Sequence, residues 1–143
     1  MAEKNNGKEK EPSFSRKGGK GEDFIELLLV DDEVDFVNII AKRLSKRNIA
    51  VTGALSGTEA IQILRKKDFD LCVLDLKMED MNGIEVLKFF KKMVPDMPVI
   101  MLTGHGSAES AGEGMAFGAY DYLTKPYELA KLMKKIEEAM GRG

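Results

Sequence analysis

Between Ile25 and Met140 the chain switches five times between a short, largely apolar run and a longer stretch whose apolar residues fall three and four apart. The runs are Ile25–Val30, Ala50–Leu55, Leu71–Asp75, Pro98–Leu102 and Tyr120–Thr124. Runs such as LLLV and LCVL are apolar at successive residues, so both faces of the strand are expected to be covered. The stretches between them read as helices. Phe36, Ile40 and Leu44 share one face of the first, and Ser56 with Glu59 forms a capping box that opens the second. Asn82 with Glu85 opens the third, which carries Val86, Leu87, Phe90, Met93 and Val94 at helical spacing. Ser107 is placed to cap the fourth; Pro126 suits the first turn of the fifth, whose stripe is Leu129, Leu132, Met133, Ile136 and Met140. Five βα units of this kind predict an α/β doubly wound sandwich, flavodoxin-like in plan. Its five-stranded parallel sheet takes the order 2-1-3-4-5, with helices on both faces.

Residues 1–23 do not take part in this pattern. They are rich in Lys, Glu, Gly and Asn, with Phe14 the only large apolar residue after Met1, and such a segment is expected to be a disordered tail. Its RKGGKGED stretch lacks the spacing and the preceding strand of a phosphate loop. Residues 24–143 are therefore expected to form one domain. A formal net charge of -2 gives no case for a general attraction to nucleic acid or to a membrane surface. No apolar run approaches membrane length, and a cytoplasmic protein is the default expectation. The one cysteine, Cys72, lies inside an apolar run and is expected to be a small buried hydrophobe.

In sheets of this order, ligands bind beyond the carboxyl ends of the strands, at the switch point between strands 1 and 3. The first run ends in Asp31 and Asp32, the third in Asp75, the fourth in Thr103, and the fifth in Lys125 followed by Pro126. Taken singly, each has a plain structural explanation. Acids after a strand can complement the positive end of the next helix, Asp75 can be a turn residue, and Lys125 can be a solvated charge. Together they bring three carboxylates, a hydroxyl and an amine to one edge. Three carboxylates suit a hard cation such as Mg2+, and Mg2+ with Lys125 would let clustered acids remain ionised. A carboxylate is also a competent nucleophile toward phosphorus, and phosphoryl transfer depends mainly on positioning and charge neutralisation. Gly104 and Gly106, either side of His105, allow backbone N–H groups close to an anion.

The stretches LLLVDDE, LDLKM, MNGIEVL, LTGHGS and GAYDYLTKP occur in the order found in receiver domains of two-component response regulators, which the chain resembles from about Ile25 to Met140. The wording of the last two is similar to receivers joined to transcription-activating ATPases. The resemblance implies a phosphorylation-activated switch in which Asp75 takes a phosphoryl group from a sensor histidine kinase. It makes Asp32 and Asp75 direct Mg2+ ligands, Asp31 a ligand partly through water, and the Lys77 carbonyl a third protein ligand. It further implies that Thr103 and Tyr122 are the switch pair, that Lys125 clamps the phosphate, and that the Lys125–Pro126 bond is cis. On the same resemblance, Lys77 and Gly104 are expected to border the phosphoryl group, and Lys77 and His105 to flank the path of attacking water. The resemblance also implies that helix 4, strand 5 and helix 5 form the face that changes and that would serve a homodimer.

The chain departs from the family's pattern at Glu79, where proline is common, so the loop after strand 3 is expected to be more mobile. Gly112 and Gly114 lie within the fourth helix, where each costs about 1 kcal/mol against Ala. That helix is expected to be weak by itself and to reorganise, unless the glycines serve close packing. Two other functions fit the fold less well. An aspartyl-nucleophile phosphatase needs a second acid two residues on, where Lys77 stands; a flavin carrier needs hydroxyls and amides where Asp31, Asp32 and Glu33 stand. Pro126–Gly143 suffices for the last helix, so the output is expected from a protein partner or from a further domain of a longer regulator.

Overall fold

The computed structural model describes residues 24–104 and 108–141, so the tail reading for 1–23, the Ser107 cap, Gly106 and the His105 side chain lie outside the described residues. In chain order the elements are β1 (Ile25–Val30), α1 (Val34–Ser45), β2 (Ile49–Ala54), α2 (Gly57–Lys66), β3 (Leu71–Asp75), α3 (Gly83–Met93), β4 (Val99–Thr103), α4 (Ala108–Ala116), β5 (Asp121–Thr124) and α5 (Leu129–Ala139). All strand pairs are parallel, in the order β2-β1-β3-β4-β5. Every residue of β1, β3 and β4 is buried, whereas the edge strands β2 and β5 are only partly so.

Alternation along the strands splits the core in two. Leu28, Val30, Cys72, Leu74 and Met101 face one layer, where they meet Leu64 of α2 and Val86, Leu87 and Phe90 of α3. Leu27, Leu29, Val73, Ile100 and Leu102 face the other, with Val37, Ile40 and Leu44 of α1 and Leu132 and Ile136 of α5. Cys72 is fully buried, and that burial pushes its thiol pKa well up.

Local signals explain the starts of α2 and α3. Ser56 Oγ accepts from Glu59 N at 3.0 Å, while the Glu59 carboxylate reaches back to accept from Leu55 N at 2.8 Å. Asn82 Oδ1 caps α3 by accepting from Ile84 N at 2.8 Å. Glu85 does not complete a box there; its carboxylate meets Lys88 at 3.4 Å instead. Pro126 does not open α5, which starts at Leu129 behind an extended N-cap, Glu128. The Lys125–Pro126 bond is cis, as the resemblance implies, and α5 begins three residues after Pro126.

The two helix glycines differ. Gly112 has open space where a Cβ would stand, but a Cβ on Gly114 would overlap Met101 Sδ. Gly114 thus lets α4 lie close on β4, and Gly112 has no such packing reason.

Candidate functional site

The carboxyl ends of β1, β3, β4 and β5 converge as the sequence predicts. Backbone bonds tie them together: Leu76 N donates to Leu102 O at 3.0 Å, and Lys125 N to Thr103 O at 2.7 Å. Asp31 is wholly buried just past β1 and Asp75 is nearly so at the end of β3. Asp32 is the most open of the three acids, and one oxygen from each of Asp31, Asp32 and Asp75 lies within 4.8 Å of the others. Lys125 Nζ donates to Asp31 Oδ2 at 3.1 Å and to Asp75 Oδ2 at 3.3 Å, and stands 3.7 Å from Glu33 Oε1.

The second oxygens of Asp31 and Asp75 are held by backbone. Asp31 Oδ1 accepts from Glu33 N at 2.9 Å, and Asp75 Oδ1 accepts from Lys77 N at 3.1 Å. Glu33, the N-cap of α1, makes no side-chain cap hydrogen bond, so this acid run is not serving as a side-chain helix cap. Burial pushes the Asp75 carboxyl pKa up; the Lys77 N–H and the Lys125 ammonium oppose that, and Asp31 adds to it. For Lys125, burial pulls the pKa down, but Asp75 and Asp31 outweigh it and the net direction is up. The donor set is all oxygen with one shared lysine, which fits a hard divalent cation better than a soft one.

Thr103 is buried, and its Oγ1 donates to Leu123 O at 3.4 Å rather than to Asp75. Tyr122 is largely exposed on β5, Gly104 lies directly beyond β4, and the Lys77 residue is exposed. Sequence reading missed an aromatic wall beside the lysine. The Phe36 ring lies 5.2 Å from Lys125 Nζ and meets Tyr127 edge-on at 6.1 Å. The Tyr127 hydroxyl is buried without a hydrogen-bond partner among the described residues, and burial, then Asp31 and Asp75, push its pKa up. Phe36 had registered only as part of an apolar stripe, and the signal that could have placed it is its position in the first turn after the acids.

The loop after β3, where Glu79 stands, is closed by its own backbone. Lys77 bridges Asn82 in antiparallel fashion, and Gly83 N donates to Leu76 O at 3.2 Å. A Cβ on Gly83 would run into the Leu76 backbone, so glycine permits this closure.

Three acids with a shared lysine at the switch point of a doubly wound sheet make a cluster that could hold a metal ion. The chain belongs to the response regulator receiver domain family, whose model matches residues 27–137, and it is thereby a receiver of two-component signalling. It is 36% identical over 114 residues to the transcriptional regulatory protein GlrR of Escherichia coli K12, covering 80% of this chain and 26% of that protein. It is 38% identical over 117 residues to a putative NtrX-like response regulator of Rickettsia bellii, covering 80% and 24% respectively. The chain therefore spans about a quarter of the length of these relatives. Among solved structures, a receiver domain protein of Clostridium thermocellum superposes with a TM-score of 0.79 at 34% identity, covering 83% of this chain and 96% of that one. The receiver domain of NtrX from Brucella abortus does so with 0.77 at 31%, covering 82% and 99%. Among the described residues, no helix is long and apolar enough to cross a membrane.

Proposed function

We propose that Asp75 is the phosphoacceptor of this receiver and that a sensor histidine kinase is its donor. The observation that carries the reading is the position of Lys125 Nζ between Asp31 Oδ2 and Asp75 Oδ2, at 3.1 and 3.3 Å, beside the open carboxylate of Asp32. A carboxylate oxygen of Asp75 attacks the phosphorus of a phosphohistidine; the P–N bond breaks and an aspartyl phosphate forms. Mg2+, held by Asp31, Asp32, Asp75 and the Lys77 carbonyl, would neutralise charge on the phosphoryl oxygens. Lys125 follows the Asp75 carboxylate and pairs with the new phosphate. Lys77 N–H, at 3.1 Å, keeps the Asp75 carboxylate in a fixed rotation, and Gly104 would offer its N–H to a phosphoryl oxygen.

In this reading Thr103 exchanges its long bond to Leu123 O for one to the phosphoryl group, and Tyr122 turns inward from its exposed position. The α4–β5–α5 face then changes shape and carries the signal, to a second copy of the chain or to an output domain. The relatives bear the names of transcriptional regulatory proteins, and NtrX of Brucella abortus, 31% identical over its matched part, has been solved with ATP. By likeness, the output is control of transcription by a longer cytoplasmic regulator, with residues 24–143 as its receiver and without direct nucleic-acid contact by this domain. The domain catalyses only its own phosphorylation and dephosphorylation. Lys77, a donor that cannot orient water as a base, and His105 set a persistent phosphoryl state.

The test is incubation with acetyl phosphate and Mg2+, read as an acid-stable, base-labile adduct by intact mass. The adduct is expected with Mg2+ and lost with a chelator. No adduct under either condition contradicts the reading.

A further inference from the structure

The loop between β3 and α3 is fastened at its base by the Lys77–Asn82 bridge and the Gly83 N to Leu76 O bond. Its tip is fastened elsewhere. Asp80 Oδ1 accepts from Gly57 N at 3.0 Å, and Asp80 Oδ2 accepts from Thr58 N at 3.0 Å and from Thr58 Oγ1 at 2.9 Å. These are the first two backbone donors of α2, which the helix itself leaves unpaired. The third, Glu59 N, goes to Ser56 Oγ. The start of α2 is thus satisfied partly by its own cap and partly by an acid 22 residues further along the chain. Apolar contact follows the same line: a Cβ on Gly57 would stand 3.0 Å from Met81 Sδ and 3.3 Å from Met81 Cβ, so the loop lies flush on the helix start. The Asp80 carboxyl pKa is lowered, chiefly by the Thr58 N–H, as expected of a carboxylate held by these donors at a positive helix end.

This matters for the site because Lys77 lies in the same closed loop, with its N–H 3.1 Å from Asp75 Oδ1. Lys77 belongs to the base of the loop, next to the acids, and the tip is held on the start of α2 by Asp80. We propose that Asp80 is a positioning residue for the phosphoacceptor site: its bonds to Gly57 and Thr58 latch the loop so that Lys77 keeps its N–H on Asp75 and its carbonyl toward the cation. Asp80 touches neither phosphate nor metal. The carbonyl half rests on the proposed phosphoacceptor function; the N–H half rests on the loop geometry.

The test uses Asp80→Ala and Thr58→Val in the full chain, with two readouts that need no phosphoryl donor. The first is exchange of the Lys77 amide by NMR without metal, and the second is the Mg2+ dissociation constant by calorimetry. For Asp80→Ala the amide is expected to exchange about tenfold faster and the constant to rise about tenfold, each equivalent to about 1.4 kcal/mol. Thr58→Val, which removes one of the three bonds, is expected to show about a threefold effect in the same direction. It takes over as the decisive variant if Asp80→Ala fails to fold. A lower melting temperature with Lys77 exchange within about twofold of the unaltered protein would mean that Asp80 merely caps α2, and the proposal fails. If the unaltered chain binds no Mg2+ or takes no phosphate, the phosphoacceptor reading falls while the amide exchange still decides the latch.

Discussion

Both ends of β1 bury an acid, and they treat it differently. At the start of the strand, Glu26 has its own lysine, Lys67, at 3.2 Å, and its backbone N–H donates to Asp70 at 2.8 Å. Past the other end, Asp31 shares Lys125 with Asp75 and Glu33, while Asp32 stands nearby. A buried acid matched by one cation is a structural arrangement. Several acids drawn onto one lysine leave negative charge that folding alone has no reason to gather. On this contrast, the carboxyl end of the sheet is the end at which a cation would offset unmatched charge.

Removing each lysine should expose the difference. Without divalent cation, Lys125→Ala leaves two buried carboxylates unpaired and is expected to lower stability by about 3 kcal/mol in urea unfolding. Lys67, nearly half exposed, is expected to cost only about 1 kcal/mol on the same change. Mg2+ should restore part of the loss in the first variant and none in the second. Equal losses that ignore Mg2+ would erase the distinction between the two ends. Removing an acid gives the reciprocal result: Asp32→Ala should weaken Mg2+ binding by about tenfold or more, near 1.4 kcal/mol, and slow phosphorylation in step. Glu26→Gln should leave Mg2+ binding unchanged.

The pH dependence sharpens the same point. The folded Asp75 carboxyl has its pKa raised above 3.8, so protonation favours the folded state. Its favourable contribution is full below 3.8 and is lost as pH rises through the higher folded value. Without metal, Asp75→Asn is therefore expected to melt higher than the unaltered chain at pH 7, by on the order of 4 °C for each kcal/mol. The gap should close as pH falls below 3.8. A melting temperature that is lower at pH 7, or a gap that ignores pH, would mean that burial does not disfavour the ionised Asp75 carboxyl. Smaller still is the glycine pair in α4. Gly112→Ala should stabilise by about 1 kcal/mol, and Gly114→Ala should destabilise by about that much because Met101 must move. The same sign at both would mean that α4 does not depend on close approach to β4.

These contrasts also explain what could be read from the sequence. The sheet was legible because β1, β3 and β4 are apolar along most of their length, a pattern that needs cover on both faces. Strand limits were less so. Leu55 is exposed just beyond β2, whose end is fixed by pairing Val30 with Ala54, and no local residue announces that register. Asp31, Asp75, Thr103 and Lys125 could be gathered because each ends a strand at the same edge, where topology alone makes them neighbours. The Asp80 latch, the Glu33 approach to Lys125 and the Phe36–Tyr127 wall join residues far apart in the chain through loops and helix starts, where no periodicity records the contact. The contacts around Glu79 are of the same kind: the Lys77–Asn82 bridge and the Asp80 bonds are made by residues on either side of it, and no local pattern announces them.

The central claim, that the carboxyl end of the sheet is the working end and Asp75 its nucleophile, is tested most directly by locating the phosphoryl group. The chain is treated with acetyl phosphate and Mg2+, digested under acid conditions, and the modified residue is identified by tandem mass spectrometry, with Asp75→Asn in parallel. One phosphoryl group on Asp75, absent from the variant, is the predicted result. Modification of Asp31, Asp32 or a residue at the other end of the sheet, or undiminished labelling of Asp75→Asn, would contradict it.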